Sequence, residues 1–436
     1  MQAGDSAINN KAEINIRINM TSKAEKFTSD FKENGWKIPN LYEQLFELTD
    51  NSEDIYSFCK FFLNNFAKGA TIFNDSLSYI EKEQFAELIV LALDILKQQQ
   101  QNQNAEEVIE YASLQFPDLL HEHLELIFEI KPNEKAYYSD YPWRKLSAEK
   151  AIFHVNQLQN SDISKADKRK LFSCLLETRD IEIIKSAFQF AVNTNLFDRE
   201  DILICYLESV GFTIRNGEIE SYCPNSTYHF CFPKNYFSVD RPIHLNKEQH
   251  PTWKLKPTKH KYKFGGLIEA DENNPFTHII TFDPIPPNIK ISGLERLTLG
   301  MHINEMNEFG AVFYQHNSFG NPQKIGETKE IEIYNDLPIK ETEISFSETP
   351  DRWTFQSWGS SNGRENLFRL GGEPTWIQSA EVLTCPICNE KMDFLMQLDT
   401  NLPDIENGEV YFGSGGICYV FWCDKSKVSG YLMQCT

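Results

Sequence analysis

No stretch of the 436 residues approaches the roughly 20 consecutive apolar residues that a membrane-spanning helix needs, and residues 1–20 hold no hydrophobic signal core. Neither a membrane-embedded nor an exported chain is expected. Positive charge is also scarce: 42 Lys and Arg face 63 Asp and Glu, a formal charge of −21. That balance argues against nonspecific binding to nucleic acid or to an anionic membrane. It favours a basic partner, although charge of this kind also serves solubility. The glycine-rich Gly413-Ser414-Gly415-Gly416 is followed by no Lys-Ser/Thr and opens no helical pattern, so it does not read as a phosphate loop. No Ser-His-Asp, Cys-His or paired-carboxylate arrangement stands out. Met301-His302-Ile303-Asn304-Glu305 and His316 bring His and Glu near one another, but the spacing fits no zinc-protease motif and predicts surface or core roles. His121, His123 and His154 fall in helical patterns and read as helix surface or core rather than ligands.

What is present is cysteine, phenylalanine and a change of period. Ten cysteines without an export signal fit a reducing compartment, so the cytoplasm is the expected location. The 32 phenylalanines within a 41% hydrophobic chain predict aromatic-packed cores. From 39 to about 210 the apolar residues recur at three and four. Asp54–Leu63 and Glu83–Leu96 show this first, and Ala148–Leu158, Lys165–Leu176, Ile181–Val192 and Glu200–Val210 repeat it. At Gly211 the period becomes two. Phe212–Arg215 and Glu218–Tyr222, joined by Asn216-Gly217, form a hairpin signal.

Cys385-Pro386-Ile387-Cys388-Asn389 has the form of a zinc knuckle. The short loop aims two thiolates at one point, Pro386 restricts the turn, and Asn389 tolerates a left-handed backbone. Zinc needs two more ligands. Tyr419, Phe421 and Cys423 share one strand face, with Cys418 on the other. A turn through Asp424–Lys427 returns the chain to Cys435. The expected set is Cys385, Cys388, Cys423 and Cys435, with Cys418 as the substitute fourth ligand. Four thiolates imply a closed, structural zinc. Free thiols and a redox pair are the alternatives, the latter disfavoured because the surroundings read as strands and turns.

Lys263-Phe264-Gly265-Gly266-Leu267 is echoed by Arg369-Leu370-Gly371-Gly372-Glu373. Each is followed by an apolar strand ending in aspartate, His278–Asp283 and Phe394–Asp399. This suggests two copies of one β module, the second carrying the Cys-x-x-Cys. The glycine pairs read as places of positive φ or close backbone approach. The fold class is therefore α+β: an all-helical N-terminal domain (a bundle or short solenoid), then a duplicated β-rich region with a zinc knuckle. Residues 1–35 read as a leader, 36–210 as the helical domain, 211–340 as a first β module without metal, and 341–436 as a second with the zinc site.

Gly371-Gly372-Glu373-Pro374-Thr375-Trp376, Cys385-Pro386-Ile387-Cys388, Phe394–Asp399 and Gly413–Gly416 together resemble the bacterial YwqG-like family, whose members recur beside secreted polymorphic toxins. The resemblance spans at most 211–436 and is strongest from Phe368 onward. A weaker similarity runs to the C-terminal zinc-bearing domain of programmed cell death protein 2-like chaperones. In such proteins the terminal hairpin often bears its own Cys-x-x-Cys, whereas here Cys423 is followed by Asp424-Lys425-Ser426. The resemblance implies an immunity protein, not an enzyme, that holds a cognate basic toxin domain one-to-one in the cytoplasm. A chaperone or adaptor for a basic protein is the alternative, and an enzyme with an unrecognised site the second. Two surfaces offer themselves to a partner. One is the acidic joint 327–351, with Glu341 and Glu343 beside Glu330, Glu332 and Glu348, which equally reads as a solvated edge strand and linker. The other is the aromatic run Tyr137–Trp143, with Tyr138 and Trp143, which reads first as filler between helix pairs.

Overall fold

The computed structural model describes residues 23–98, 101–130, 140–237, 255–269, 275–326, 337–349, 354, 368–400 and 402–435. Tyr138, Glu330 and Glu332 lie outside them. As expected, a helical N-terminal region precedes an antiparallel β-rich one.

The chain divides into two compact units, and the division falls between Pro142 and Trp143 rather than at Gly211. The first unit is helical. Asn51 and Asn102 cap the helices Ser52–Asn65 and Gln103–Gln115 by accepting from the amides of Glu53 and Ala105. Its core is aromatic: Phe27 and Phe58 stand 5.2 Å apart, Phe62 and Phe73 stack at 5.2 Å, and Phe85 stacks on Tyr111 at 5.3 Å.

The second unit holds the four consecutive helices Ala148–Gln159, Lys165–Glu177, Ile181–Asn193 and Glu200–Ser209 and, later, the short helix Ile303–Phe309, together with every strand among the described residues. Ser147, Ser164 and Asp180 cap the first three, and the sequence pattern places all four within a residue or so of their ends. These helices belong with the β region because their charges are spent there. The buried Glu208 carboxylate accepts from Thr213 Oγ1 at 2.9 Å, the Val382 amide at 3.2 Å and Lys391 Nζ at 2.8 Å. Arg144 and Arg179 both pair with Glu177 and Glu373, joining a helix end to the second glycine pair. Removing one member would strand buried charge, so this network binds helices to sheet. Trp143 is completely buried, edge-on to His154 at a ring distance of 6.0 Å. It is core, not partner surface.

Among the described residues β1 (Phe212–Arg215) and β2 (Glu218–Ser221) form a hairpin of their own, and the main sheet has twelve strands. In the first copy these are β3 (Tyr228–Cys231), β4 (Tyr262–Phe264), β5 (Leu267–Glu269), β6 (Phe276–Phe282), β7 (Leu297–Met301), β8 (Ala311–His316) and β9 (Pro322–Lys324). In the second they are β10 (Thr342–Glu348), β11 (Arg369–Leu370), β12 (Asp393–Asp399), β15 (Ile417–Cys423) and β16 (Val428–Gln434), while β13 (Leu402–Pro403) and β14 (Glu409–Val410) pair apart. The duplication is visible in the pairing: β4 lies between β6 and β10, while β11 lies between β12 and β3. Each copy thus lends its first strand to the other, and β3 pairs with β10 where they cross. The copies are interleaved, not consecutive modules divided at 340.

Their equivalence extends to single atoms. The Gly265 amide donates to Ile279 O and the Gly371 amide to Leu395 O, and both acceptors are β-bulge residues. A Cβ on Gly265 would sit 2.3 Å from Lys340 O, and one on Gly371 would sit 2.2 Å from Ser226 O. Both glycines have positive φ, 74° and 69°. No other residue satisfies both demands at once.

The sheet curls around one core containing Phe230, Phe264, Leu297, Tyr314, Val420 and Tyr431. The Thr298 amide at one end reaches Gly320 O near the other at 2.9 Å. A smaller core, with Tyr222, Met392, Tyr419 and Phe421, lies on the outer face of the second copy.

Candidate metal centre

The copies differ in the length that follows the glycine pair. From Gly266 to the bulge at Ile279 is 13 positions; from Gly372 to Leu395 is 23. The additional chain folds back over the outer face of β12 and β15. Trp376 packs on Tyr419 at 4.6 Å, the Tyr419 hydroxyl donates to Thr375 O at 2.7 Å, and the Thr375 amide donates to Gln397 Oε1 at 2.9 Å. This arm then forms the knuckle. A Thr384–Lys391 bridge closes its neck, the Cys385 amide donates to Glu390 O at 2.8 Å, and the Asn389 amide returns to Cys385 O at 2.9 Å. Asn389 takes φ of 58°, the left-handed turn its position predicts.

Beneath the knuckle β15 ends at Cys423, where the turn Asp424–Lys427 leads into β16. The thiols of Cys385, Cys388 and Cys423 converge, their sulfurs all within 4.8 Å of one another. Three soft sulfur donors at one point form a group that could hold a metal ion. Cys385 and Cys423 are buried, and Cys388 is partly exposed. Cys388 Sγ and Cys423 Sγ are 3.5 Å apart. Burial raises the Cys388 thiol, but hydrogen bonds from the Ser426 hydroxyl, the Glu390 backbone and the neighbouring cysteines outweigh it and bring the thiol below its ordinary value. Burial pushes Cys423 up to about 12, and its bonds to Cys388 and Cys385 add to the rise. Of these two thiols Cys388 is the more acidic, and it is also the one that is partly exposed.

The hairpin is anchored from the first copy. Asp424 accepts from the Ser292 amide at 2.9 Å, Trp422 Nε1 at 3.1 Å and Lys427 Nζ at 2.8 Å. Burial opposes its ionisation, yet Lys427 and Ser292 hold the carboxyl down to about 2. Lys425 reaches across to Glu390 of the knuckle at 2.6 Å. Asp424 and Ser292 escape a sequence reading because 132 positions separate them. The only local signal is a carboxylate immediately after a ligand-type cysteine.

Cys435 does not join the set. The hairpin register pairs Cys423 with Val428 and Ile417 with Gln434, so Cys435 lies at the opposite end of the strands. Its sulfur rests 2.9 Å from where a Cβ on Gly413 would stand. A tight turn carries each later residue farther from Cys423, which the expected placement overlooked. Cys418, the substitute, faces the main core with its sulfur 3.6 Å from Met306 Sδ, and burial raises its thiol.

The remaining candidates separate. His302 stacks on Phe276 at 4.8 Å, Glu305 pairs with Lys324, and His316 Nε2 lies 2.8 Å from Ser429 Oγ. That His–Ser contact spans 113 positions and resembles a nucleophile with its base, but Ser429 has no exposed surface. Glu341, just before β10, and Glu343 within it are exposed, and each pairs with a lysine: Lys263 at 2.9 Å and Lys261 at 3.6 Å. They form a cross-strand ladder of mixed charge, not an acidic patch. No helix among the described residues is long and apolar enough to cross a membrane.

Compared with protein-family models, with curated proteins and with solved structures, the chain matches none. The kinship suggested by 368–436 rests on the motifs quoted for it.

Proposed function

We propose that this chain is a cytoplasmic immunity protein: a non-enzymatic binder that neutralises a cognate, basic antibacterial toxin domain one-to-one by covering its active site. The observation carrying the reading is the net charge of −21, which draws a basic partner and repels nucleic acid. The motifs of the second β copy supply the toxin context. The buried polar groups have structural partners: His278 Nε2, on an imidazole that burial holds below its ordinary value, lies 2.8 Å from Thr281 Oγ1 in the folded sheet, and the Glu208 carboxylate ties helix to knuckle. The ion at Cys385, Cys388 and Cys423 is zinc in this reading, held to staple the arm to the terminal hairpin. Its role is folding energy, since its ligands come from two segments 35 positions apart, the knuckle and the end of β15.

The test is purification of the chain with the toxin domain encoded beside it. A one-to-one complex that abolishes toxicity, and from which active toxin is recovered after separation, supports the reading. Toxin that stays inactive and carries a new covalent mass makes this chain an enzyme. Binding to unfolded basic proteins without preference for that toxin makes it a chaperone.

A further inference from the structure

The placement of the ten thiols bears on the ligand set of the proposed metal. Ten cysteines occur in the sequence, and all ten are among the described residues. Three of them converge, and among the described residues no further Cys, His, Asp or Glu joins the group. Cys435 is held at the far end of the β15–β16 hairpin and Cys418 on the other face of β15, so neither reaches the cluster without breaking the sheet. Zinc takes four ligands, and a closed structural site draws all of them from the protein as thiolates or imidazoles.

We propose that the bound metal has three sulfur ligands and a fourth, exchangeable ligand that is a neutral oxygen or nitrogen donor, admitted beside Cys388 and Ser426. This rests on the metal reading above and refines it. The side of entry follows from exposure: Cys385 and Cys423 are buried, while Cys388 is partly exposed and Ile387 next to it is 49% exposed. The ligand's charge follows from the surroundings. A divalent ion with three thiolates is already formally −1, and the neighbouring carboxylates Glu390 and Asp424 are balanced by Lys425 and Lys427, so that charge stands uncompensated. A further anion would meet like charge, whereas water or an imidazole would not. Ser426, whose hydroxyl bonds the Cys388 sulfur, is a hydrogen-bonding group at that side. The exchange step is simple substitution: the neutral donor leaves with its lone pair as the incoming one binds, with no change in oxidation state. Three protein ligands and an open position is the pattern of zinc sites that bind other molecules.

X-ray absorption on the full-length zinc-loaded chain tests this. The expected result is three sulfurs near 2.3 Å and one light atom near 2.0–2.1 Å, the usual zinc distances. In the cobalt-substituted chain, imidazole should shift the visible d–d bands saturably while the thiolate charge-transfer intensity stays constant. Cys435→Ser should leave one metal per chain and the same three-sulfur count. Four sulfurs, or bands indifferent to imidazole, would overturn the proposal while leaving the metal site standing. A chain that binds no metal would remove the metal reading itself, and this inference with it.

Discussion

Cys388 and Cys423 hold their sulfurs 3.5 Å apart across 35 positions of sequence. One comes from a knuckle on the inserted arm, the other from the last residue of β15, and the contact is where the arm is fastened to the sheet. Of the two, the partly exposed sulfur is the more acidic and the buried one the less.

Removing the ion should therefore loosen a defined part of the molecule. With Cys423→Ser, metal affinity should fall by more than about 100-fold, beyond the range seen for changes to groups merely supporting a ligand. Hydrogen exchange should then quicken in 382–392 and 417–434, while the unit containing 23–130 keeps its protection. Equal loss in both units would show that the metal does not act locally.

The two glycine pairs should fail alike. Gly265→Ala and Gly371→Ala each place a Cβ against a carbonyl at positive φ, and each should cost about 3 kcal/mol or more in denaturant unfolding. Gly415→Ala, also at positive φ but with open space around it, should cost about 1–2 kcal/mol. Indifference at either buried position would refute the close approach there.

Stability should fall on mild acidification. Burial holds His316 down to about 4, well below its ordinary value, and His278 moves in the same direction for the same reason. Between pH 6.5 and 4 the unfolded chain binds the proton that folded His316 refuses. The stability this residue contributes is thus whole above 6.5 and lost as pH falls towards 4, by about 3 kcal/mol at most. Thermal unfolding of His316→Gln should show a shallower decline over that window.

Charge should govern the encounter with the partner. Raising salt should slow association by about tenfold while dissociation changes little. Glu341→Gln with Glu343→Gln removes two exposed ion pairs, and the stability loss should stay below about 1 kcal/mol. A slower association rate in this variant places β10 at the interface; an unchanged rate moves the interface to another face.

Much was legible in the sequence because it is local. Helix ends follow from caps such as Ser147 and Asp180, the first hairpin from Asn216-Gly217, and the knuckle from five consecutive residues. Even the duplication is written in glycine pairs that the backbone requires for a short-range reason, positive φ. What only the tertiary structure decided depends on pairing between distant segments. Helical periodicity says that Ala148–Ser209 folds as helices, but their place with the sheet comes from Glu208, Arg144 and Arg179 meeting β-region groups. Landmarks suggest two copies, but the exchange of β3 and β10 arises from long-range ladders with no sequence signature. The metal set turned on register: a four-residue turn fixes which end of β16 approaches Cys423, and that geometry removes Cys435 from the site. Composition names the thiols that are available, and only the ladder of hydrogen bonds between strands decides which of them converge.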